Sequence, residues 1–170
     1  MKRFLAVSIA ASLAAACGSL MGGGESGPRA VAQVEPTQGN EVRGTVTFTQ
    51  RGDSVHVEAV LRGLAPGSQH GIHVHEKGDC SAPDGTSAGG HYNPAGSPHG
   101  PQSGPHHYGD MPNVQAGEYG GSNSSFDLAG VKVEELIGKA VIVHRDADDY
   151  KSQPAGNSGP RIACGVIKAA

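Results

Sequence analysis

Two histidines stand two residues apart in the stretch GIHVHEKGDC, residues 71–80. Side chains alternate between the two faces of a β-strand, so His73 and His75 would point to one side and Val74 to the other. Two imidazoles held close together on one rigid strand can chelate a single transition-metal ion. The alternative is the solvated face of a sheet, where polar residues also alternate. The pair by itself suggests a metal site and leaves that alternative open.

Further candidate ligands follow this pair along the chain, which contains nine histidines in all. They are His91, His99, His106, His107, Asp110 and His144. Imidazole binds both copper and zinc, whereas a carboxylate suits zinc better than copper. One ion cannot use all of these groups. The sequence therefore predicts two sites, one made of imidazoles alone and copper-like, the other including Asp110 and zinc-like.

The elements that must position these groups are β-strands. Gly and Pro, with 27 and 11 residues, interrupt every periodic run and leave no window for a substantial amphipathic helix. Short runs with turns between them predict up to eight strands, at 30–36, 41–50, 54–64, 69–78, 114–120, 122–131, 137–146 and 161–170. The second and third runs alternate apolar and polar residues and predict an antiparallel hairpin. We therefore expect an all-β sandwich or closed barrel.

Two stretches between the predicted strands show no secondary-structure period. The longer one, residues 78–113, contains Cys80 and most of the candidate ligands. A loop of about 35 residues is uncommon inside a compact domain unless something other than a core organises it, such as a disulfide or a metal. The second irregular stretch is 146–160.

The first residues have the layout of a bacterial export signal. A basic start at Lys2 and Arg3 precedes an apolar run, 4–16, that is too short for a comfortable membrane span. Small residues before Cys17 resemble a lipoprotein processing site, although such sites more often carry Leu where Ala14 stands. We expect residues 1–16 to be removed, Cys17 to be lipidated, residues 17–28 to form a flexible tether and 29–170 to form the β domain. Ordinary cleavage after Ala16 is the alternative.

Cysteine content and charge agree with export to the periplasm or cell envelope. With Cys17 at the processing site, Cys80 and Cys164 remain as an even pair in a compartment where a disulfide can persist. Two free buried thiols are the alternative. Loss of residues 1–16 leaves a net charge of about −5, which argues against nucleic acid as a partner. The membrane would then be contacted through the lipid anchor alone.

Five ordered motifs resemble the copper/zinc superoxide dismutase family, in its bacterial exported branch. They are GIHVHEKGDC, SAGGHYNP, HHYGDMPN, VIVHRDADDY and GNSGPRIACGVI, and the resemblance covers nearly all of residues 30–170. It implies an eight-stranded antiparallel Greek-key barrel with two long functional loops. It also implies an oxidoreductase that converts two superoxide anions and two protons to dioxygen and hydrogen peroxide, at a copper centre bridged to zinc. Such an enzyme protects against extracytoplasmic superoxide. A homodimer is compatible with the resemblance, whose branches differ in dimer geometry.

Carried over position by position, the resemblance also implies roles for individual residues. The copper ligands would be His73, His75, His91 and His144, and the zinc ligands His91, His99, His107 and Asp110. His91 would bridge the two ions and supply a proton to the peroxide. The remaining roles would fall to Asp148, linking His73 to His99; to Arg161, the cation that attracts superoxide; and to the disulfide between Cys80 and Cys164. His56, His70 and His106 are expected to lie outside both sites. His56 resembles a solvated strand residue and His70 matches a structural histidine of the family, while His107 rather than His106 has the family's spacing to Asp110.

Two readings from other classes remain open. A catalytically silent relative would buffer copper or zinc with the same ligands, and would bind metal without consuming superoxide. A disulfide-linked adhesion or receptor sandwich would keep its function after the metals are removed. An assay of the copper-loaded protein against superoxide separates the first of these from the enzyme.

Overall fold

The computed structural model describes residues 27–170, so the predicted export signal, Cys17 and most of the predicted tether lie outside the described residues. The strands are β1 (Arg29–Pro36), β2 (Arg43–Arg51), β3 (Ser54–Arg62), β4 (Gln69–His70), β5 (Ile72–His75), β6 (Val114–Gln115), β7 (Ser122–Ala129), β8 (Ala140–His144) and β9 (Arg161–Ala169). Two short helices accompany them, the 3-10 turn Thr86–Ala88 and α1 (Val133–Leu136). Neither helix has the length or apolar character that a membrane crossing needs.

Seven of these strands form one curled antiparallel sheet, in the order β5-β8-β9-β1-β2-β3-β7. β4 and β6 form a separate pair. Neighbours that are distant in sequence, such as β1 beside β9 and β3 beside β7, give the sheet its Greek-key crossovers. The predicted all-β fold is confirmed.

Two of the predicted strands differ from the observed strands by more than their end residues. The fourth is divided at Gly71 into β4 and β5, because its first part pairs with β6 and its second part with β8. The fifth, predicted at 114–120, ends at Gln115, since Gly117 and Gly121 are joined in a turn by the hydrogen bond from Gly117 N to Gly121 O (2.8 Å).

The hairpin of β2 and β3 forms as the alternating pattern predicts. Val46 lies opposite Ala59 and Phe48 opposite Val57, and all four side chains are fully buried. Glu58, between two of them on β3, faces solvent. Because side chains alternate along a strand, this register buries one apolar row per strand inside the curled sheet.

β1 runs from one end of the barrel to the other. Its first residue, Arg29, pairs with Thr49, and its last, Pro36, pairs with Ala163 near the start of β9. The next residue, Thr37, donates from Oγ1 to the carbonyl oxygen of Arg161 (2.8 Å). Eight residues of strand span roughly 25 Å, so β1 begins far from Arg161 and ends beside it.

The long loop between β5 and β6 is anchored on the edge of β5 that β8 does not cover. Val74 N donates to Gly109 O (2.9 Å), and Tyr92 N donates to Val74 O (2.8 Å). Gly109 is required there because a Cβ at this position would overlap the carbonyl of Val74. The predicted disulfide, Cys80–Cys164, joins the same loop to β9. Main-chain hydrogen bonds and one disulfide thus order the loop between β5 and β6, whose sequence shows no helix or strand periodicity.

Candidate metal centre

Three of the candidate ligands come from two neighbouring strands. His73 and His75 lie on β5 and His144 ends β8, which pairs with β5. His73 is fully buried and the other two are almost so. The solvated sheet face considered for the HVH motif is therefore not what the structure has, because the long loop covers β5.

The long loop adds His91 to these three. One ring nitrogen from each of His73, His75, His91 and His144 lies within 4.8 Å of the others, and all four residues are buried. We call these four residues the imidazole cluster. The main chains of His75 and His91 are paired as neighbouring strands are, which explains why the loop delivers His91 to this place.

Hydrogen bonds fix which nitrogen each ring turns inward. His75 donates from Nδ1 to Gly89 O (2.9 Å) and His144 donates from Nδ1 to Gly159 O (3.1 Å). A carbonyl oxygen can only accept, so in both rings the proton is on Nδ1 and Nε2 keeps its lone pair. His73 is oriented the opposite way, with Nε2 2.7 Å from Oδ2 of Asp148. Its Nδ1 is therefore the inward atom.

A second cluster shares His91 with the first and consists of His91, His99, His107 and Asp110, all buried. We call it the mixed cluster. Asp110 Oδ1 lies 2.8 Å from His91 Nδ1, 3.0 Å from His99 Nδ1 and 3.3 Å from His107 Nδ1. Ligand atoms around tetrahedral zinc are separated by about 3.3 Å, given zinc to ligand bonds of about 2.0 Å. The four groups are thus gathered at nearly the spacing that zinc requires.

The Asp148 carboxylate connects the two clusters. One oxygen lies 2.7 Å from His73 Nε2, and the other lies 2.9 Å from His99 Nε2. The side chain of Asn113 holds Asp148 on both sides, accepting from its main-chain N (2.8 Å) and donating to its carbonyl (2.9 Å). Gly156 packs so close that a Cβ there would overlap the carboxylate. Asp148 therefore orients one ring in each cluster.

The polar atoms that the two clusters leave without partners fit metal ions. Five buried nitrogens lack a hydrogen bond: His73 Nδ1, His75 Nε2, His91 Nε2, His99 Nδ1 and His144 Nε2. Buried polar atoms are normally paired, so five such atoms in one place need an explanation. Four are the inward atoms of the imidazole cluster, and the fifth faces Asp110 in the mixed cluster. A copper ion among the four and a zinc ion in the mixed cluster would supply the missing partners.

Burial keeps most of these imidazoles neutral, as metal ligands must be. Burial lowers the pKa of His73 well below its ordinary value, and also lowers the pKa of His75 and of His107. The pKa of His144 falls to about 4, mainly through burial. His99 differs, because burial lowers its pKa but the nearby carboxylates of Asp148 and Asp110 together outweigh burial and raise it.

The carboxyl group of Asp110 is held in its charged form. Burial by itself would raise the pKa of this carboxyl, but hydrogen bonds from His91 and from the main-chain N–H groups of His107 and Gly100 outweigh that effect. The pKa therefore lies well below its ordinary value. The mixed cluster thus contains one negative charge and the imidazole cluster none, which matches the zinc-like and copper-like characters predicted from the sequence.

Arg161 lies at the start of β9, where a cavity of about 500 Å³ opens to solvent. Its guanidinium donates to Gly85 O (2.8 Å) and to Gly89 O (2.6 Å). Gly89 O is also the acceptor for His75, so one carbonyl joins the cation to the imidazole cluster. The cavity reaches Gly159, whose carbonyl accepts from His144. Asp84 also lines the cavity, whereas the four histidines of the imidazole cluster do not. The cavity is therefore a candidate entrance beside a fixed positive charge, connected to the cluster through the carbonyls of Gly89 and Gly159.

The structure brings together the groups that the sequence singled out and leaves the expected three outside. His106 bonds to Gly104 O (2.6 Å), and His56 lies on β3 beside Asp127 (2.8 Å). His70 bonds to Ser68 and to the carbonyl of His144, so it supports a candidate ligand from behind. The sequence did not predict that the carbonyl oxygens of Gly89 and Gly159 accept from the histidines. Every residue has a carbonyl group, so no residue type in the sequence indicates which carbonyls make such bonds.

Comparisons with known proteins agree with this geometry. The family model for copper/zinc superoxide dismutase matches residues 42–167. Superoxide dismutase [Cu-Zn] 2 of Aquifex aeolicus is 39% identical over 150 residues, covering 82% of this chain and 86% of its own length. The Cu-Zn superoxide dismutase of Deinococcus radiodurans is 38% identical over 149 residues, covering 78% and 80%.

Two solved structures share the fold. A double mutant of a SOD-like protein from Bacillus subtilis is 36% identical with a TM-score of 0.71, covering 79% of this chain and 94% of its own. The clock protein EA4 is 38% identical with a TM-score of 0.73, covering 84% and 94%. The fold and the two clusters define a β-barrel protein with two candidate metal sites that share His91. The chain belongs to the copper/zinc superoxide dismutase family.

Proposed function

We propose that the imidazole cluster, His73, His75, His91 and His144, holds copper and that the mixed cluster, His91, His99, His107 and Asp110, holds zinc. As a member of its family the protein is an oxidoreductase with copper and zinc as cofactors, and it converts superoxide to dioxygen and hydrogen peroxide. The observation that carries the assignment is the group of five buried imidazole nitrogens without partners, divided between two clusters that share His91.

Copper, when bound, supplies the one-electron oxidation of one superoxide and the one-electron reduction of another. The chain's own residues bind the anion, orient the ligands and move protons. Arg161 is cationic at every physiological pH and presents forked donors at the base of the entrance, so it attracts a small anion to this end of the barrel. Its position is fixed because two of its donors are already bonded to Gly85 and Gly89.

Two protons must be supplied for each hydrogen peroxide. His91 is suited to provide one, since its Nε2 faces the imidazole cluster without a hydrogen bond while its Nδ1 lies 2.8 Å from Asp110. A proton held at Nε2 would be directed toward the place where the anion arrives. Asp148 keeps the rings of His73 and His99, the neighbours of His91, in fixed orientations, so these rings need not reorganise during turnover.

The ligand assignment is tested by metal content per chain in three variants, measured after loading and dialysis. His144→Ala should lose copper and keep zinc, His99→Ala should lose zinc and keep copper, and His91→Ala should weaken both. His56→Ala, on the outer face of the sheet, is the control and should keep both ions. A His91→Ala protein with wild-type content of both metals and an unchanged rate would overturn the shared role of His91.

A metal buffer without catalysis is the second candidate, because it would need the same ligands. The entrance argues against it, since a buffer has no use for a fixed cation beside an open cavity. The copper-loaded wild-type protein, assayed against superoxide at known concentration, should consume superoxide catalytically. Stoichiometric consumption that stops after one equivalent would favour the buffer.

We propose that the enzyme is exported and acts on extracytoplasmic superoxide, with Cys17 lipidated and the chain held at the periplasmic face of a membrane. Support comes from the layout of residues 1–17 and from the Cys80–Cys164 disulfide, which is consistent with an oxidising compartment. Cys17→Ala should move the protein from the membrane fraction to the soluble periplasmic fraction. Sedimentation of the purified domain tests the homodimer that the family resemblance allows.

A further inference from the structure

Gln153 makes a contact with the mixed cluster that the ligand assignment does not use. It lies in the loop between β8 and β9, while His99 lies in the loop between β5 and β6, 54 positions away in the chain. The Gln153 side chain accepts from His99 N (2.9 Å) and donates to His99 O (2.9 Å). Both polar groups of the His99 main chain are thus held by one side-chain amide.

His99 is consequently fixed at two places. Its main chain is held by Gln153, and its ring is held by Asp148, 2.9 Å from Nε2. These contacts leave Nδ1, which has no hydrogen bond and lies 3.0 Å from Asp110 Oδ1, directed into the mixed cluster. Without Gln153, the main chain of His99 could shift and carry the ring away from Asp110.

The segment that carries Gln153 is itself organised by Asp149. Its carboxylate accepts from Lys151 N (2.9 Å) and Ser152 N (2.8 Å), and from the side chains of Ser152 (2.6 Å) and Asn157 (3.2 Å). These hydrogen bonds lower the pKa of the Asp149 carboxyl to about 2, so it remains an acceptor at neutral pH. Gln153 therefore starts from an ordered turn and loses less freedom when it contacts His99.

We propose that Gln153 is a positioning residue for zinc, which clamps the main chain of His99 and so transmits the order of the β8–β9 loop to the mixed cluster. This inference rests on the proposed role of His99 as a zinc ligand. Partners that orient a metal ligand typically change affinity by 10- to 100-fold when they are removed. Gln153 is exposed, so water competes for its amide, and we expect an effect of about tenfold, at the lower end of that range.

The test uses two variants of the full copper-free chain, Gln153→Met and Gln153→Glu. Methionine has a similar length and loses both hydrogen bonds. Glutamate keeps an acceptor for His99 N but places a second carboxylate oxygen against His99 O. Zinc dissociation constants, measured by competition with a chromophoric chelator, should rise about tenfold for Gln153→Met and further for Gln153→Glu. The visible spectrum of Co²⁺ bound in place of zinc should change in both.

Gln115→Met is the matched control. The two hydrogens of the Gln115 amide are shared among three carbonyl oxygens, those of Gly67, Ser68 and Ala116, and none of these residues belongs to the mixed cluster. This variant should lower thermal stability while leaving the zinc dissociation constant and the Co²⁺ spectrum unchanged. A Gln153→Met protein with wild-type zinc affinity and spectrum would overturn the proposal, as would an equal loss of affinity in Gln115→Met.

Failure of the clamp and failure of the ligand assignment give different results. If His99→Ala weakens zinc binding strongly and Gln153→Met does not, the ligand assignment stands and the clamp is wrong. If His99→Ala leaves zinc binding unchanged, His99 is not a ligand and both statements fail.

Discussion

Each histidine that a strand contributes to the imidazole cluster has its outward nitrogen held by an acceptor. The acceptor is a carbonyl for His75 and His144 and a carboxylate for His73. Burial removes water from these rings, so proton exchange with solvent no longer decides which nitrogen is free. The chain thus presents neutral, correctly oriented donors before any ion arrives, which lowers the ordering that binding requires.

The metal-free protein should lose stability as pH falls from about 6.5 toward 4. Unfolded histidines take up protons below about pH 6.5, whereas the folded pKa values of His73, His75, His107 and His144 are lowered, that of His144 to about 4. Each such histidine therefore contributes stability that is present above pH 6.5 and is lost below it. His99, with a raised pKa, acts in the opposite direction without cancelling the four.

Urea unfolding of chelator-treated protein at several pH values measures this slope. His144→Gln should make the slope shallower by about 1.4 kcal/mol per pH unit between pH 6 and 4.5, because one histidine with a lowered pKa is gone. Equal slopes in His144→Gln and the wild type would contradict the argument.

Among the elements, the β8–β9 loop depends on a glycine beside Asp148. Gly156 has a φ of 62°, and a Cβ there would overlap the Asp148 carboxylate. Gly156→Ala should therefore displace Asp148 from His73 and His99 and lower zinc affinity about tenfold or more. Gly52→Ala is a close control, since Gly52 has a φ of 58° with nothing near the added carbon. Its strain should reduce stability alone, measured by thermal unfolding, with zinc affinity unchanged.

The disulfide should matter both for stability and for the entrance. It closes 84 positions of chain, and loop-closure entropy for that length corresponds to about 4 to 5 kcal/mol. It also secures the segment whose carbonyls, Gly85 and Gly89, hold Arg161. The double variant with serine at positions 80 and 164 should unfold at lower urea concentration and show reduced activity. If the double variant keeps full activity at a temperature where it remains folded, the disulfide is not needed to hold Arg161 in place.

The sequence predicted the strands and the candidate ligands better than it predicted the pairing partners and hydrogen bonds that hold them in place. Alternation marks β2 and β3 because each buries one face, and HVH on β5 marks two imidazoles on one side of a strand. The break at Gly71 was missed because it reflects a change of pairing partner, a tertiary event without a local signal. The clamp by Gln153 was missed for a similar reason, since an exposed glutamine in an irregular loop has no pattern that points 54 positions back.

For the whole molecule, substrate attraction must be local because the net charge of the chain is −3. Arg161→Gln should lower kcat/KM for superoxide about tenfold at low ionic strength and weaken its dependence on salt. Arg29→Gln makes the same change in net charge on an exposed side chain at the far end of β1 and should have little effect. Equal losses in the two variants would mean that overall charge, rather than the entrance, guides superoxide.

The direction in which β1 runs has a practical consequence. Everything that precedes Arg29 joins the barrel at the pole remote from Arg161, roughly 25 Å away along the strand. A bulky fusion partner or a surface linkage placed before this residue leaves the mouth of the cavity beside Arg161 unobstructed. The amino-terminal side of the domain is therefore the place to immobilise the protein on an electrode or a bead while diffusing anions keep free access.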